Sequence, residues 1–302
     1  MSAANDTKFN RSVFFLTGIP GQEDVHLWIA IPFCFMYVLS LVGNSIILFI
    51  IKTDPTLHEP MYIFLSMLAL TDLSLLMVTM PTREISPNAC FTQVFFIHTL
   101  QCTESAVLLL MAFDRYVAIC NPLRYTSILA HPRIAKMGLV FVLRSAALIF
   151  PLPFLLKRYP YCRVNVLSHS YCLHQDVMTM ACADITVNNI YGLSVAFSTM
   201  WLDSLLIFLS YVMILKTVLS IASHTKCLRA LNTCVSHLCA VLLFYVPEIG
   251  LALLHRFGSS STHLLLVVLG YVYQLMPPLV HPIVYSVKSE HLRGRVIRVF
   301  VK

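Results

Sequence analysis

Met111-Ala-Phe-Asp-Arg-Tyr-Val-Ala-Ile-Cys120 closes a long apolar run with a carboxylate, a guanidinium and a phenol in succession. A cation at that point, Arg115, stands where a membrane-crossing helix leaves the bilayer, with Asp114 beside it to hold the charge. The run before it is long enough to be such a helix, so the question becomes how many others the chain contains.

The 302 residues are 58% hydrophobic and 12% charged, with a mean hydropathy of +0.78. That balance is too apolar and too poor in charge for a water-soluble domain of this size. A span needs about 20 apolar residues, and suitable runs read at 26 to 51, 60 to 80, 88 to 113, 134 to 156, 189 to 215, 230 to 254 and 263 to 287. The sequence therefore predicts an all-α membrane protein, a seven-transmembrane helix bundle (26–287) preceded by a tail (1–25) and followed by a short amphipathic C-terminal helix (288–302). The runs are continuous rather than alternating, which excludes a β-barrel. Pro151, Pro153, Pro247, Pro277 and Pro278 fall inside them and read as kinks.

Charge orients the bundle. With the N-terminus outside, the cytoplasmic side gathers thirteen Lys and Arg against four acids, and the outer side seven against six. The sequons at Asn5 and Asn10 then both lie in the outer tail, as candidate glycosylation sites. The apolar part of that tail, Val13 to Leu16, is too short for a signal peptide, so span one is expected to serve as the insertion signal. The net charge of +7 faces membrane lipid, and no nucleic-acid partner is expected. Of ten cysteines, Cys90, Cys162, Cys172 and Cys182 face the oxidising side. Four cysteines allow three pairings that sequence cannot rank.

Several further stretches share one resemblance. They include Gly43-Asn44, Leu57-His58-Glu59-Pro60-Met61-Tyr62, Leu68-Ala69-Leu70-Thr71-Asp72-Leu73, Ser210-Tyr211, Phe244-Tyr245-Val246-Pro247 and Pro282-Ile283-Val284-Tyr285-Ser286, besides the run from Asp114 to Tyr125 and that from Arg229 to His237. Together, in this order, they resemble the odorant receptors of the rhodopsin-like G-protein-coupled superfamily. The His255-Arg256-Phe257-Gly258 segment and the loop Ser168 to Asp176 resemble the class I, fish-like, olfactory receptors.

The resemblance implies disulfides Cys90 with Cys172 and Cys162 with Cys182. It implies a small odorant bound in the outer third of the bundle, a stimulatory olfactory-type heterotrimeric G protein as partner, cyclic AMP as output, and a plasma-membrane location in the cilia of olfactory neurons. Arg256, in a setting where class I receptors anchor short carboxylic acids, can grip a carboxylate with two parallel hydrogen bonds; its plainer reading is a solvated cation at the bilayer edge. His98 faces the same region as a ligand contact or as a hydrogen-bonded core histidine. His174 and Gln175 are expected to cap the ligand, and Leu152, Gly192, Leu251 and Ile149 to wall it. Glu248 departs from the apolar residue usual in the family, and it engages Arg256, repels carboxylates or favours an amine.

The switch is expected to run through Asp114, Arg115 and Tyr116, with Tyr211, His237 and Tyr245 relaying movement of span six. Charges within the membrane need partners. Asp72 and Glu104, with the Ser105 hydroxyl, read as a sodium site, or else as a protonated carboxyl pair. Arg144 and Asp203 are expected to form interhelical hydrogen bonds or to snorkel. No other cofactor and no catalytic residue is expected; an intramembrane enzyme would have only Asp72 with Asp203, and a transporter would show a repeat. A soft-metal site at His98 and Cys102, or at His169, Cys172 and His174, is weaker still, since Cys172 is committed to a disulfide. Two further departures stand out: His281 precedes Pro282 where the family has Asn, and Met80 to Ile85 leaves almost no first outer loop. The alternatives are thus a metabolite- or steroid-sensing receptor in another tissue, or a non-signalling variant crippled by that loop.

Overall fold

In hydrocarbon the backbone must satisfy its own hydrogen bonds, so long apolar runs become helices. The computed structural model describes residues 13–16, 23–80, 84–161, 166–167, 169, 171–220, 224–257 and 263–300. Asn5, Asn10, Cys162 and the side chain of Arg256 lie outside the described residues.

Six described helical stretches are long and apolar enough to cross a membrane: Ile31–Thr53, Pro60–Val78, Pro87–Cys120, His131–Lys157, Thr186–Leu219 and Cys234–Leu254. The first three belong to α1 (Glu23–Thr53), α2 (Pro60–Val78) and α3 (Pro87–Cys120). After the short α4 (Tyr125–Ile128), span four is α5 (His131–Ile149) continued by α6 (Pro151–Lys157), broken where Pro151 and Pro153 remove amide donors. The short α7 (His174–Thr179) lies in the following loop. Span five is α8 (Thr186–Ala196) joined to α9 (Leu202–Leu219) through a π-helical turn at Phe197–Trp201. Span six lies in α10 (His224–Phe257), and α11 (His263–Lys288) is the seventh long helix, packed against α10 and α1. Pro247, Pro277 and Pro278 sit inside these last two without ending them. Span three is 78% buried inside the bundle and span four 22%, so α3 is the central post and α5 stands at the lipid edge.

Helix α3 begins on a Ser86 cap, whose hydroxyl accepts from the Ala89 amide at 3.3 Å, with Pro87 in the first turn. It continues two turns beyond the apolar run, carrying the Asp-Arg-Tyr triplet on helix to its end. The amphipathic α12 (Glu290–Phe300) follows α11 as expected. It buries Leu292 and is held by Arg295, which forms an ion pair with Asp54, Nε to Oδ2 at 2.7 Å.

One feature that the sequence reading did not anticipate is a small sheet over one end of the bundle. Its strands are β1 (Phe14–Leu16), β2 (Glu84–Ile85) and β3 (Val166–Leu167), ordered β2-β1-β3. β1 is antiparallel to β2 and parallel to β3. Phe14 is buried beneath it against the rings of Phe91 and Tyr161. The Cys90–Cys172 disulfide, with Cα atoms 5.5 Å apart, ties the same layer to α3; Cys182 is also disulfide-bonded. Spans two and three are drawn together here. Gln93 on α3 donates to the Val78 carbonyl ending α2 at 2.8 Å and accepts from the Cys172 amide at 2.8 Å. Of the shortened stretch, Glu84 and Ile85 form β2.

Of the two fates expected for Arg144 and Asp203, interhelical hydrogen bonding is the one found, and each is the other's partner: the guanidinium of span four donates to both carboxylate oxygens of span five, at 3.1 and 2.8 Å. Removing only Arg144 would leave a fully buried carboxylate unpaired, at a cost of about 3–5 kcal/mol, whereas removing both charges is close to neutral. Arg144→Leu is therefore expected to lower the thermal midpoint of the purified protein in nanodiscs, with Arg144→Leu/Asp203→Leu restoring most of it; equal losses in the two variants would count against the pairing.

Candidate functional site

Beneath the sheet, the side chains singled out from sequence form two groups. Ile149 and Leu152 are buried with Cys102 and Val195 in an apolar cluster that Phe95, Leu148 and Tyr191 flank. His98, on α3, meets His174 edge to face, with ring centroids 6.0 Å apart. Its Nδ1 bonds Gln101 Oε1 at 3.1 Å, and its Nε2 is buried with no partner. His174 Nε2 faces Asn188 Oδ1 on α8 at 3.2 Å. Gly192 permits this approach, because a Cβ there would stand 3.2 Å from the His174 ring.

On α10, Phe244, Tyr245, Glu248 and Leu251 recur at helical spacing, and three of them are buried in the main core. Glu248 shares their inward face, and its Oε2 is buried without a partner. Gln175 Oε1, Thr99 Oγ1 and the Tyr273 hydroxyl are unpartnered in the same way. Buried polar atoms of this kind are costly, and those on α3, α7, α10 and α11 leave hydrogen-bonding capacity in this region, hereafter the recess, that a small molecule with polar groups could use. The loop above it is fixed to α11: Tyr171 donates to the Gly270 carbonyl at 3.2 Å, and His169 Nδ1 meets Asp176 Oδ2 at 2.5 Å. A Cβ on residue 270 would fall 2.6 Å from His169 Nε2, so Gly270 is required for the seat. Cys102 Sγ lies 3.8 Å from the Thr199 hydroxyl on span five.

At the opposite end, Arg115 Nε donates to Asp114 Oδ2 at 2.8 Å, and Tyr125 donates to the other carboxylate oxygen at 2.8 Å. Tyr125 was missed from sequence although it closes the quoted run; only the fold brings it back over Asp114. Tyr116 instead stacks with Phe113 and lines a lipid-facing groove with Ser210. His237 links three spans: Nδ1 faces the Tyr211 hydroxyl at 2.7 Å and Nε2 the Leu108 carbonyl at 2.9 Å. A cavity of about 180 Å³ opens beside them, lined by Arg115, His237, Tyr285, Ser236 and Met111 among others.

In the middle of the bundle one expectation is corrected. Ser105 does not join Asp72 and Glu104; its hydroxyl donates to Asp203 at 3.0 Å and lies 2.8 Å from the Tyr245 hydroxyl. One residue along a helix turns a side chain by about 100°, which carries Ser105 to the α9 and α10 side. The third group beside the two acids is His281, whose Nδ1 is 3.1 Å from Asp72 Oδ2. Asp72 and Asp203 belong to separate networks, which removes the only candidate pair for an intramembrane enzyme. Asp72 Oδ1 and Glu104 Oε1 are buried and unpartnered, so the donor set itself fits a cation.

A family profile described as olfactory receptor matches residues 33–302. Olfactory receptor 51G2 of Homo sapiens is 59% identical, covering 99% of this chain and 98% of its own. Olfactory receptor 51G1 of Homo sapiens is 57% identical, covering 99% and 96%. The crystal structure of squid rhodopsin superposes with a TM-score of 0.74 at 17% identity, over 94% of this chain and 87% of that one. The alignment to 51G2 spans 308 positions, more than the 302 residues here, so the relative carries residues that this chain lacks.

Burial, opposed in part by the Asn188 contact, pulls the His174 imidazole down from 6.5 to about 4. In this window the unfolded chain binds a proton that the folded one refuses, so stability is lost as pH falls from 6.5 toward about 4 and levels off below. The thermal midpoint in nanodiscs is expected to drop across that range and to drop less in His174→Asn; parallel curves for the two proteins would rule His174 out as the source.

Proposed function

Because this chain belongs to the olfactory receptor family, a family of signalling receptors rather than enzymes, we propose that it binds a small carboxylic acid odorant beneath the sheet and activates a stimulatory, olfactory-type G protein, raising cyclic AMP. The observation that carries this reading is the arrangement around Arg115. Its guanidinium is held by Asp114, while His237 and Tyr211 clasp α10 to α3 and α9 beside an open cavity. That is a two-state element: a transducer entering the cavity would take over Arg115 as α10 swings away.

The recess above supplies the other half. His98, His174 and Gln175 offer polar atoms, Ile149, Leu152, Gly192 and Leu251 an apolar wall, and Arg256, two turns beyond Glu248 on α10, the guanidinium for a carboxylate. Asp72 and Glu104 hold a structural cation that steadies the resting bundle, with sodium the first candidate from the acid pair alone. The receptor works in the plasma membrane of olfactory cilia with its glycosylated N-terminus outside. The capped end of α2, tied to α3 and the sheet through Gln93, favours a folded receptor over a non-signalling variant.

Cells co-expressing this chain with an olfactory G protein should raise cyclic AMP on exposure to short carboxylic acids. Arg256→Ala should shift the concentration dependence by about 10- to 100-fold, the worth of a charge-assisted contact, with staining of the tail unchanged; an unshifted response would remove Arg256 as the anchor. His237→Phe should raise ligand-independent cyclic AMP by freeing α10. A normal baseline with a normal agonist response would show that this clasp does not restrain the resting state.

A further inference from the structure

Three fully buried side chains from three helices converge in the middle of the bundle: Asp72 on α2, Glu104 on α3 and His281 on α11. One ligand atom from each lies within 4.8 Å of the other two. Asp72 Oδ1, Glu104 Oε1 and His281 Nε2 all lack a hydrogen-bond partner. Two carboxylates here put up to two negative charges in a low-dielectric interior, and Arg144, the one arginine within the predicted spans, is taken by Asp203. A monovalent ion would leave one charge over. A divalent ion with a neutral imidazole would leave none.

Ligand type narrows the ion further. Sodium, magnesium and calcium favour oxygen-only shells, whereas zinc and its neighbours take imidazole readily alongside carboxylates. One imidazole and two carboxylates make a three-point tetrahedral base with the fourth position left for water. The present separations, within 4.8 Å, compare with an edge of roughly 3.4 Å in such a shell. The cavity beside Arg115 is the nearer open space: its Leu65, Met111 and Tyr285 lie two turns, two turns and one turn along their helices from Asp72, Glu104 and His281.

We propose that Asp72, Glu104 and His281 form a binding site for a divalent, imidazole-accepting transition-metal ion, zinc being the test case. The proposal rests on the reading that this acid pair holds a cation, and it changes which one. Holding α2, α3 and α11 at one point, the ion would brace the resting arrangement below the odorant recess.

The test uses the full chain in nanodiscs after a chelator wash, with zinc chloride, sodium chloride and magnesium chloride as probes. Expected is one zinc per chain by elemental analysis and a thermal midpoint raised by about 5 °C at hundredfold excess over Kd. X-ray absorption should give a nitrogen and oxygen shell. His281→Asn should weaken zinc at least tenfold while keeping any sodium response, and Glu104→Gln should weaken both. Zinc bound equally by wild type and His281→Asn, or a sulfur shell assigning the metal to cysteines, overturns the proposal. Stabilisation by sodium with none by zinc also overturns it and leaves the sodium reading standing; no response to either ion sinks both.

Discussion

Four carboxylates lie within the predicted spans, Asp72, Glu104, Asp203 and Glu248, against the single guanidinium of Arg144. The bilayer gives none of them water, so each must be paired, hydrogen-bonded, protonated or bound to something that is not protein. Arg144 takes Asp203 at the lipid edge, using both carboxylate oxygens. His281 takes one oxygen of Asp72. Glu104 Oε1 and Glu248 Oε2 are left over, one in the middle of the bundle and one at the recess beneath the sheet. The unsatisfied acids thus mark the two places where the structure has most to gain from a ligand.

The satisfied acid also organises its surroundings. Asp203 holds Ser105 of α3, and Ser105 holds Tyr245 of α10, so one carboxylate links spans three, four, five and six. Tyr245 is next to Phe244 and one turn from Glu248, at the base of the recess, and His237 lies two turns further toward the Asp-Arg-Tyr end. A ligand that moves the inward face of α10 would therefore disturb a hydrogen-bonded chain already continuous with the span-three post. Any coupling between the two ends has this chain of side-chain contacts to travel along.

Much of this was legible in the sequence. Seven apolar runs marked the helices, the Asp114-Arg115 pair was readable from adjacency, and Arg144 and Asp203 were readable as buried charges needing partners, whereas their pairing with each other and that of Tyr211 with His237 came only from the fold. The resemblance to odorant receptors supplied the Cys90 and Cys172 link. What failed was angular. Ser105 is adjacent to Glu104 in sequence but points to another neighbour, and His281 was placed near the Asp72 network only as the loss of an amide, not as a partner of the carboxylate. Strands of two and three residues, such as β1 to β3, have too few positions to show alternation. They form because the disulfide and Gln93 bring their segments together.

The strand order of that sheet sets a timetable for synthesis. β1 lies in the middle, yet it emerges first; its partner β2 follows some seventy residues later, and β3 about a hundred and fifty. At a translation rate of roughly 5–20 residues per second, Phe14 waits on the order of ten to thirty seconds before the second edge of its sheet exists. Through that interval an aromatic, strand-forming segment stands without its cover, available to chaperones or to another nascent chain. The speed with which span four and its loop are delivered, rather than the stability of the finished bundle, would then govern how many copies leave the site of synthesis correctly closed.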